Sequence, residues 1–309
     1  MINFRYHVVS LTAVFLALAI GLVVGTAALN GPVVDTLKDR VDALSKDNSN
    51  YRDQANQYRE ELSRTQDFAT EISPGLLNGK LAGRKILVVV TPSGQDYAEG
   101  TVAMLKVAGA TITGTVTVQD KFFDPANAFE LLDLANKASQ PTVPADGLPV
   151  NSDGVETSSA LLALALQQKA LPVSAGDLTA VLTAYTEPGY LNVSDKIVPG
   201  AEATVVVSGL PPVDRDAAKK NQNAVKLADQ FSKNHPLVVG GQGIGDGNLV
   251  GEIRGDPTLV KRISTVDYVS TEQGQLATAM AVVERVVADK VGQYGLSAGA
   301  TSQVPKAAG

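Results

Sequence analysis

From Val8 to Leu29 the chain reads VVSLTAVFLALAIGLVVGTAAL, without a single charged side chain. No other feature restricts so strongly what the chain can become. At about 1.5 Å per residue, a helix over these 22 residues covers roughly 33 Å, enough to cross the hydrocarbon core of a bilayer. The stretch exceeds the roughly 7–15 apolar residues of a secretory signal, and only Arg5 makes the preceding segment basic, so it reads as a retained anchor. A cleaved signal is the competing reading, because Thr26-Ala27-Ala28 offers small residues at its end. Residues 1–30 are therefore assigned to a membrane anchor. Within it Ala17, Gly21 and Gly25 fall four apart, a spacing that predicts close packing of this helix face on another membrane helix.

Asn30-Gly31-Pro32 breaks that helix, and Pro32 is suited to the first turn of the next. A seven-residue pattern then begins. Val34, Val41, Asn48, Ala55 and Leu62 occupy its first core position, and Leu37, Leu44, Tyr51, Tyr58 and Thr65 its second. Charged and amide side chains fill the positions between, the signature of a coiled coil. Asn48, at a central core position, sets register and favours two strands; Asp47 and Arg52 form an opposite-charge pair across a parallel interface. The predicted stalk covers residues 31–73 and ends at Ser73-Pro74-Gly75. The expected assembly is a parallel homodimer through Val34, Leu37, Val41, Leu44, Asn48, Tyr51, Ala55, Tyr58 and Leu62. A long helix packing on its own C-terminal domain is the alternative. Topology stays open, since Arg5 lies before the span while Lys38 and Arg40 follow it closely.

Residues 80–292 predict an α/β domain. RKILVVVTP is a continuous apolar run bounded by Pro92 and reads as a buried strand. A helix over DYAEGTVAMLKVAGA and a strand over TITGTVTV complete a βαβ unit. Residues 139–159 read as a loop rich in Pro and Gly, followed by a core helix, SALLALALQQKAL, too short to span a membrane. ATVVVSGL and PLVVGG are further strands, separated by an amphipathic helix carrying Ala224, Leu227, Ala228 and Phe231 on one side. A last helix is expected from Gln273 to Lys290, then a disordered tail over residues 293–309. The alternation defines a Rossmann-like α/β domain with a mostly parallel sheet.

Chemistry is harder to find. There are no cysteines, so thiolate metal sites, disulfides and cysteine nucleophiles are excluded together. A net charge of −6 without a basic cluster argues against nucleic acid. LVVGGQGIGDGN packs five glycines into eight positions after a strand, the place for a phosphate loop. A dinucleotide fingerprint needs Gly at i, i+2 and i+5, yet the third place falls on Asp246, Asn248 or Val250 in the three registers. No helix start is evident after it, so it reads as a flexible turn. GLLNGKL lacks the spacing and the final Ser or Thr of a P-loop. GLSAG around Ser297 matches a nucleophile elbow in letters but follows the last helix and enters the tail. The carboxylates Asp96, Asp246, Glu252, Asp256 and Asp267 lie near strand ends, where loop acids are ordinarily solvated or cap helices. Asp96-Tyr97, just past the first strand, lies where open α/β sheets bind ligands. Neither a catalytic group nor a bound cofactor is expected.

The opening MINFRYHVVSLTAVFLALAIGLVVG, the heptads and ILVVVTPSGQDYAEG…LKVAGATITGTVTV together resemble the MctB family of actinobacterial copper transport proteins, over nearly the whole chain. The resemblance implies a non-enzymatic envelope protein, a pore-forming outer-membrane component of copper efflux and copper homeostasis, with the α/β domain outside the cytoplasm. Corynebacterial members called SteB are associated instead with a membrane partner, SteA, in cell division and wall hydrolysis. Copper favours Cys, Met and His, whereas this chain offers only Met1, Met104, Met280, His7 and His235, scattered along its length. Met104 and Met280 read as core filler. An outer-membrane barrel needs strands of about ten alternating residues, and an anchor whose polar residues are Ser10, Thr12 and Thr26 is a poor pore lining. Two readings stand side by side: a copper transport component, with copper implied by the resemblance alone, and a membrane-tethered homodimer that binds an envelope partner.

Overall fold

The computed structural model describes residues 4–29, 32–139, 148–167, 173–194 and 197–306. The chain divides into two compact units, Met1–Arg64 and Thr65–Gly309.

The first unit is helical. Helix α1 (Phe4–Leu29) is apolar around its whole circumference, and its large side chains are exposed. Its hydroxyls turn back onto the helix: Thr12 Oγ1 donates to Val8 O at 2.8 Å and Thr26 Oγ1 to Leu22 O at 2.9 Å. Polar atoms satisfied in this way carry little penalty in hydrocarbon. Helix α2 (Pro32–Leu77) is polar on average, and up to Arg64 its described side chains are exposed.

The second unit begins inside α2, and here the helix outruns its expected end at Ser73-Pro74-Gly75. Pro74 has no N–H and would orphan the carbonyl of Thr70 four residues earlier. Ser73 Oγ donates to that same carbonyl at 2.9 Å, and Asn78 N resumes the ladder on Pro74 O at 3.0 Å. Burial of Ala69, Ser73 and Leu77 holds the last turns helical through the proline.

Seven strands form one sheet in the order β3-β2-β1-β4-β5-β6-β7: β1 (Lys85–Val90), β2 (Thr111–Val118), β3 (Leu191–Ser194), β4 (Ala203–Val207), β5 (Leu237–Gly240), β6 (Ile263–Val266) and β7 (Gln293–Tyr294). Every pairing is parallel except β2 with β3. Side chains alternate between faces, and the valine runs of β1 and β4 are buried on both. Leu87, Val89 and Val206 pack with helices α5 (Ala128–Ala138), α6 (Gly154–Leu166), α7 (Ala175–Thr186), α8 (Ala217–Ser232) and α9 (Leu249–Gly255). Ile86, Val88, Val90, Val205 and Val207 pack against the end of α2, α3 (Gln95–Val107) and α10 (Glu272–Val287). A one-turn helix, α4 (Asp120–Phe123), follows β2. The result is a doubly wound α/β sandwich with a mostly parallel sheet.

Several local expectations are corrected. The loop expected over residues 139–159 gives way at Asp153, whose carboxylate accepts from Glu156 N at 2.9 Å and starts α6 at Gly154; residues 140–147 of that loop lie outside the described residues. Strands β3, β6 and β7 and helices α4, α5, α7 and α9 are additions to the expected set. The tail also departs from the disorder expected from residue 293. Gln293–Tyr294 pair with β6, and the Arg254 guanidinium ties the next residues down, donating to Tyr294 O at 2.7 Å and Ala298 O at 3.2 Å. Residues 307–309 lie outside the described residues.

Candidate functional site

The sheet is wound outward in both directions from the β1–β4 pair. In open α/β sheets that switch point leaves a crevice beyond the carboxyl ends of the strands. A cleft of about 230 Å³ occupies it. Thr91 and Ser208, the first residues past β1 and β4, form its floor, with Thr91 Oγ1 donating to Ser208 Oγ at 3.2 Å. Ser93 Oγ accepts from Gly209 N at 3.1 Å.

Two glycines let the loops behind these strands interlock. A Cβ on Gly94 would lie 2.2 Å from Val207 O, and one on Gly209 would lie 1.9 Å from Ser93 O. Phe123, Leu210, Pro211, Pro212, Val213 and Leu249 make the walls apolar.

One charged cluster lines the cleft. Lys220, nearly buried, donates to Asp120 Oδ2 at 2.6 Å and to Asp214 Oδ2 at 2.7 Å. Hydrogen bonds to Asp120 and Asp214 push its pKa above the ordinary lysine value, and the bond from Lys220 holds the Asp214 carboxyl below its own. Two carboxylates share one ammonium, so the cluster retains a negative charge. A cation compensated in this way does not attract a phosphate.

The glycine-rich turn fits that conclusion, although one reason changes. A helix does follow it: α9 has seven residues, and Asn248 Oδ1 caps it by accepting from Gly251 N at 2.7 Å. The chain's own side chain thus takes the position a ligand oxygen would need. Gly245 and Gly247 have φ of +89° and +74°, so the glycines serve the turn.

The other residues singled out by sequence are dispersed. Asp96 is exposed in the first turn of α3, and Tyr97 Oη accepts from Gln242 Nε2 at 2.8 Å. Asp246 is exposed, Glu252 lies in α9, and Asp256 accepts from Thr258 N and Leu259 N at 2.7 and 2.9 Å. Asp267 is buried against Arg254 at 2.8 Å and also accepts from the backbone N–H of Leu296 and Ser297. Ser297 is held there as backbone, and no helix follows it among the described residues. The cleft residues Thr91, Ser93, Ser208 and Lys220 are not singled out by the sequence; the available signal for them is the pair of Ser-Gly steps that follow β1 and β4.

In the first unit Val34, Leu37, Val41, Leu44, Asn48, Tyr51, Ala55, Tyr58 and Leu62 all present exposed side chains. Beyond the adjoining backbone of α1 itself, nothing lies within 4 Å of a Cβ built on Gly21 or Gly25, and Ala17 is exposed. For copper the donor set is poor. Met104 is buried and Met280 packs against the same apolar cluster. Among the described residues no group of three or more His, Asp or Glu side chains converges.

Among the described residues one helix is long and apolar enough to cross a membrane; with a long polar helix and a doubly wound α/β domain it defines the class, an α/β protein preceded by an N-terminal apolar helix. The family profile for "Copper transport outer membrane protein, MctB" matches residues 1–305, and the chain belongs to the MctB family. It is 28% identical to the copper transporter MctB of Mycobacterium tuberculosis and 29% identical to that of Mycobacterium leprae, over 98% of both chains in each case.

Proposed function

We propose that this chain is a non-catalytic, membrane-anchored envelope protein that serves copper homeostasis as a parallel dimeric scaffold, with its α/β head outside the cytoplasm. The exposed heptad face of α2 carries the reading. Leu44 and Tyr51 are 67% and 70% exposed in the single chain, and a second copy in register covers both. Gly21 and Gly25 provide a matching close approach in lipid. A pore lined by α1 is disfavoured, since Thr12 and Thr26 direct their hydroxyls to their own helix. Copper is then cargo handled together with partners and is not held by this chain alone.

Cell-wall hydrolysis control during division is the second reading, favoured by the scarcity of soft copper donors. It uses the same dimer and removes copper from the account.

Because the chain has no cysteine, single substitutions report cleanly. In native membranes Leu44→Cys is expected to form disulfide-linked dimers, whereas Lys46→Cys, on the opposite side of the heptad, crosslinks poorly. Equal crosslinking at both positions refutes the stalk. Labelling of Lys46→Cys in intact cells by an impermeant maleimide tests the topology. In a deletion strain, complementation by wild type but not by Leu44→Asp, read as cellular copper content and as septum placement, separates the two readings.

A further inference from the structure

We infer that the cleft at the β1–β4 switch point docks an extended peptide segment of another protein, one that carries an arginine or lysine between apolar residues.

Size narrows the occupant first. Pockets that bury a whole cofactor or drug-sized ligand hold roughly 300–1,000 Å³. At about 230 Å³ this cleft takes one or two side chains.

The rim is apolar. Val213 is 98% exposed, and Leu210 beside it is also exposed. Exposed Ile244 belongs to the neighbouring turn, where a Cβ on Gly245 would lie 2.9 Å from Pro211. Single exposed apolar residues are ordinary. Three from two adjacent loops around one concavity form a surface that a partner covers.

Charge selects the partner's sign. The Lys220 cluster keeps one negative charge in excess, and its carboxylates remain accessible: the side chains of Asp120 and Asp214 are 63% and 49% exposed. Asp96, in the first turn of α3, and Asp246, in the glycine-rich turn, have no cationic partner within salt-bridge distance among the described residues. The excess carboxylate of the Lys220 cluster disfavours phosphate and acidic peptides at the cleft. A guanidinium entering beside Asp120 and Asp214 would match two carboxylates with two cations, and buried arginines are frequent anchors of protein interfaces. The hydroxyls of Thr91 and Ser208 form the polar floor below the inserted side chain.

The site lies wholly in the head. It deepens the scaffold reading but does not depend on the stalk, and the test separates the two. Full-length protein in nanodiscs of zwitterionic lipid is titrated with labelled, capped hexapeptides in which arginine, lysine, glutamine or glutamate is set among valine, leucine and proline. Empty nanodiscs provide the background. The basic peptides are expected to bind at least about tenfold more tightly than their glutamate counterparts, and the preference shrinks at high salt. Val213→Ser and Asp214→Asn should each weaken the arginine peptide severalfold, while Leu44→Asp leaves it unchanged even where it abolishes the dimer. Equal affinity for glutamate peptides, indifference to Val213→Ser, or no binding by any basic peptide at millimolar concentration overturns the inference.

Discussion

Replacing Arg254 with alanine removes the cation of a pair that is almost sealed from water. The side chains of Arg254 and Asp267 are 4% and 1% exposed, and their closest atoms are 2.8 Å apart. The guanidinium also donates to Thr265 Oγ1 at 2.9 Å, to Tyr294 O at 2.7 Å and to Ala298 O at 3.2 Å, so one side chain joins α9, β6, β7 and the tail. After the substitution Asp267 keeps its bonds from Leu296 N and Ser297 N but has lost its counter-charge. Removing one member of a buried pair costs about 3–5 kcal/mol, largely because the other stays buried and uncompensated. For a domain this large each kcal/mol moves the melting temperature by about 2–4 °C, so the expected fall is roughly 6–20 °C. Arg254→Lys is expected to lie between, because an ammonium cannot reach Asp267, Thr265 and Tyr294 together. Thermal denaturation of the full chain reads the first effect. Hydrogen exchange of residues 294–300 reads the second, and their amides should lose protection before the sheet core does. A fall below about 3 °C with tail exchange unchanged would refute the reasoning, since the pair would then be neither buried nor holding the tail.

Two further substitutions test the packing and the alkaline limb. Gly209→Ala drives a methyl group into the Ser93 carbonyl, which belongs to backbone and cannot yield; a loss of about 1–3 kcal/mol is expected. Gly75→Ala, with open space around it in α2, should stabilise slightly, and equal effects of the two in chemical denaturation would contradict the interlocked loops. Burial and the nearby Asp267 charge raise the Tyr268 hydroxyl to about 12. The unfolded chain therefore gives up that proton first, near pH 10, and stability falls as pH climbs from about 10 towards 12. Tyr268→Phe should make that limb less steep in melts recorded across the alkaline range, the raised hydroxyls of Tyr185, Tyr190 and Tyr294 supplying the rest; an unchanged slope would show that the Tyr268 hydroxyl titrates alike in the folded and unfolded chain.

What can be read from the letters alone follows from how burial writes itself into sequence. The strands KILVVV, ATVVV and LVVG are covered on both faces and appear as unbroken apolar runs, and α8 shows a helical stripe; these are legible. Strand β6 is not, because its Ser264 and Thr265 are buried polar residues. Their hydroxyls are satisfied only by distant parts of the chain, Gly292 N for one and Gln293 and Arg254 for the other. The proline at position 74 reads as a stop, and the serine that rescues its orphaned carbonyl can act only once the helix is built. Helix α7 does carry a signal, with Leu178, Val181, Leu182 and Tyr185 spaced for one face and Ser174 as cap, but the small residues between them dilute it. The cleft is legible only in outline. The crevice past β1 follows from topology, while the meeting of Asp120 in α4 with Lys220 in α8 joins residues 100 apart in sequence.

The two edges of the sheet bear on solubility. Where copies of a chain meet at high local concentration, an open strand edge templates polymerisation. Here one edge is β3, four residues long, and the other is β7, only two. The chain folds back over β7, with Thr301 N donating to Gln293 O at 2.8 Å and Gly295 N to Ser302 O at 2.9 Å. Self-templated β-addition has almost nowhere to start, so crowding can bring these heads together without seeding fibres.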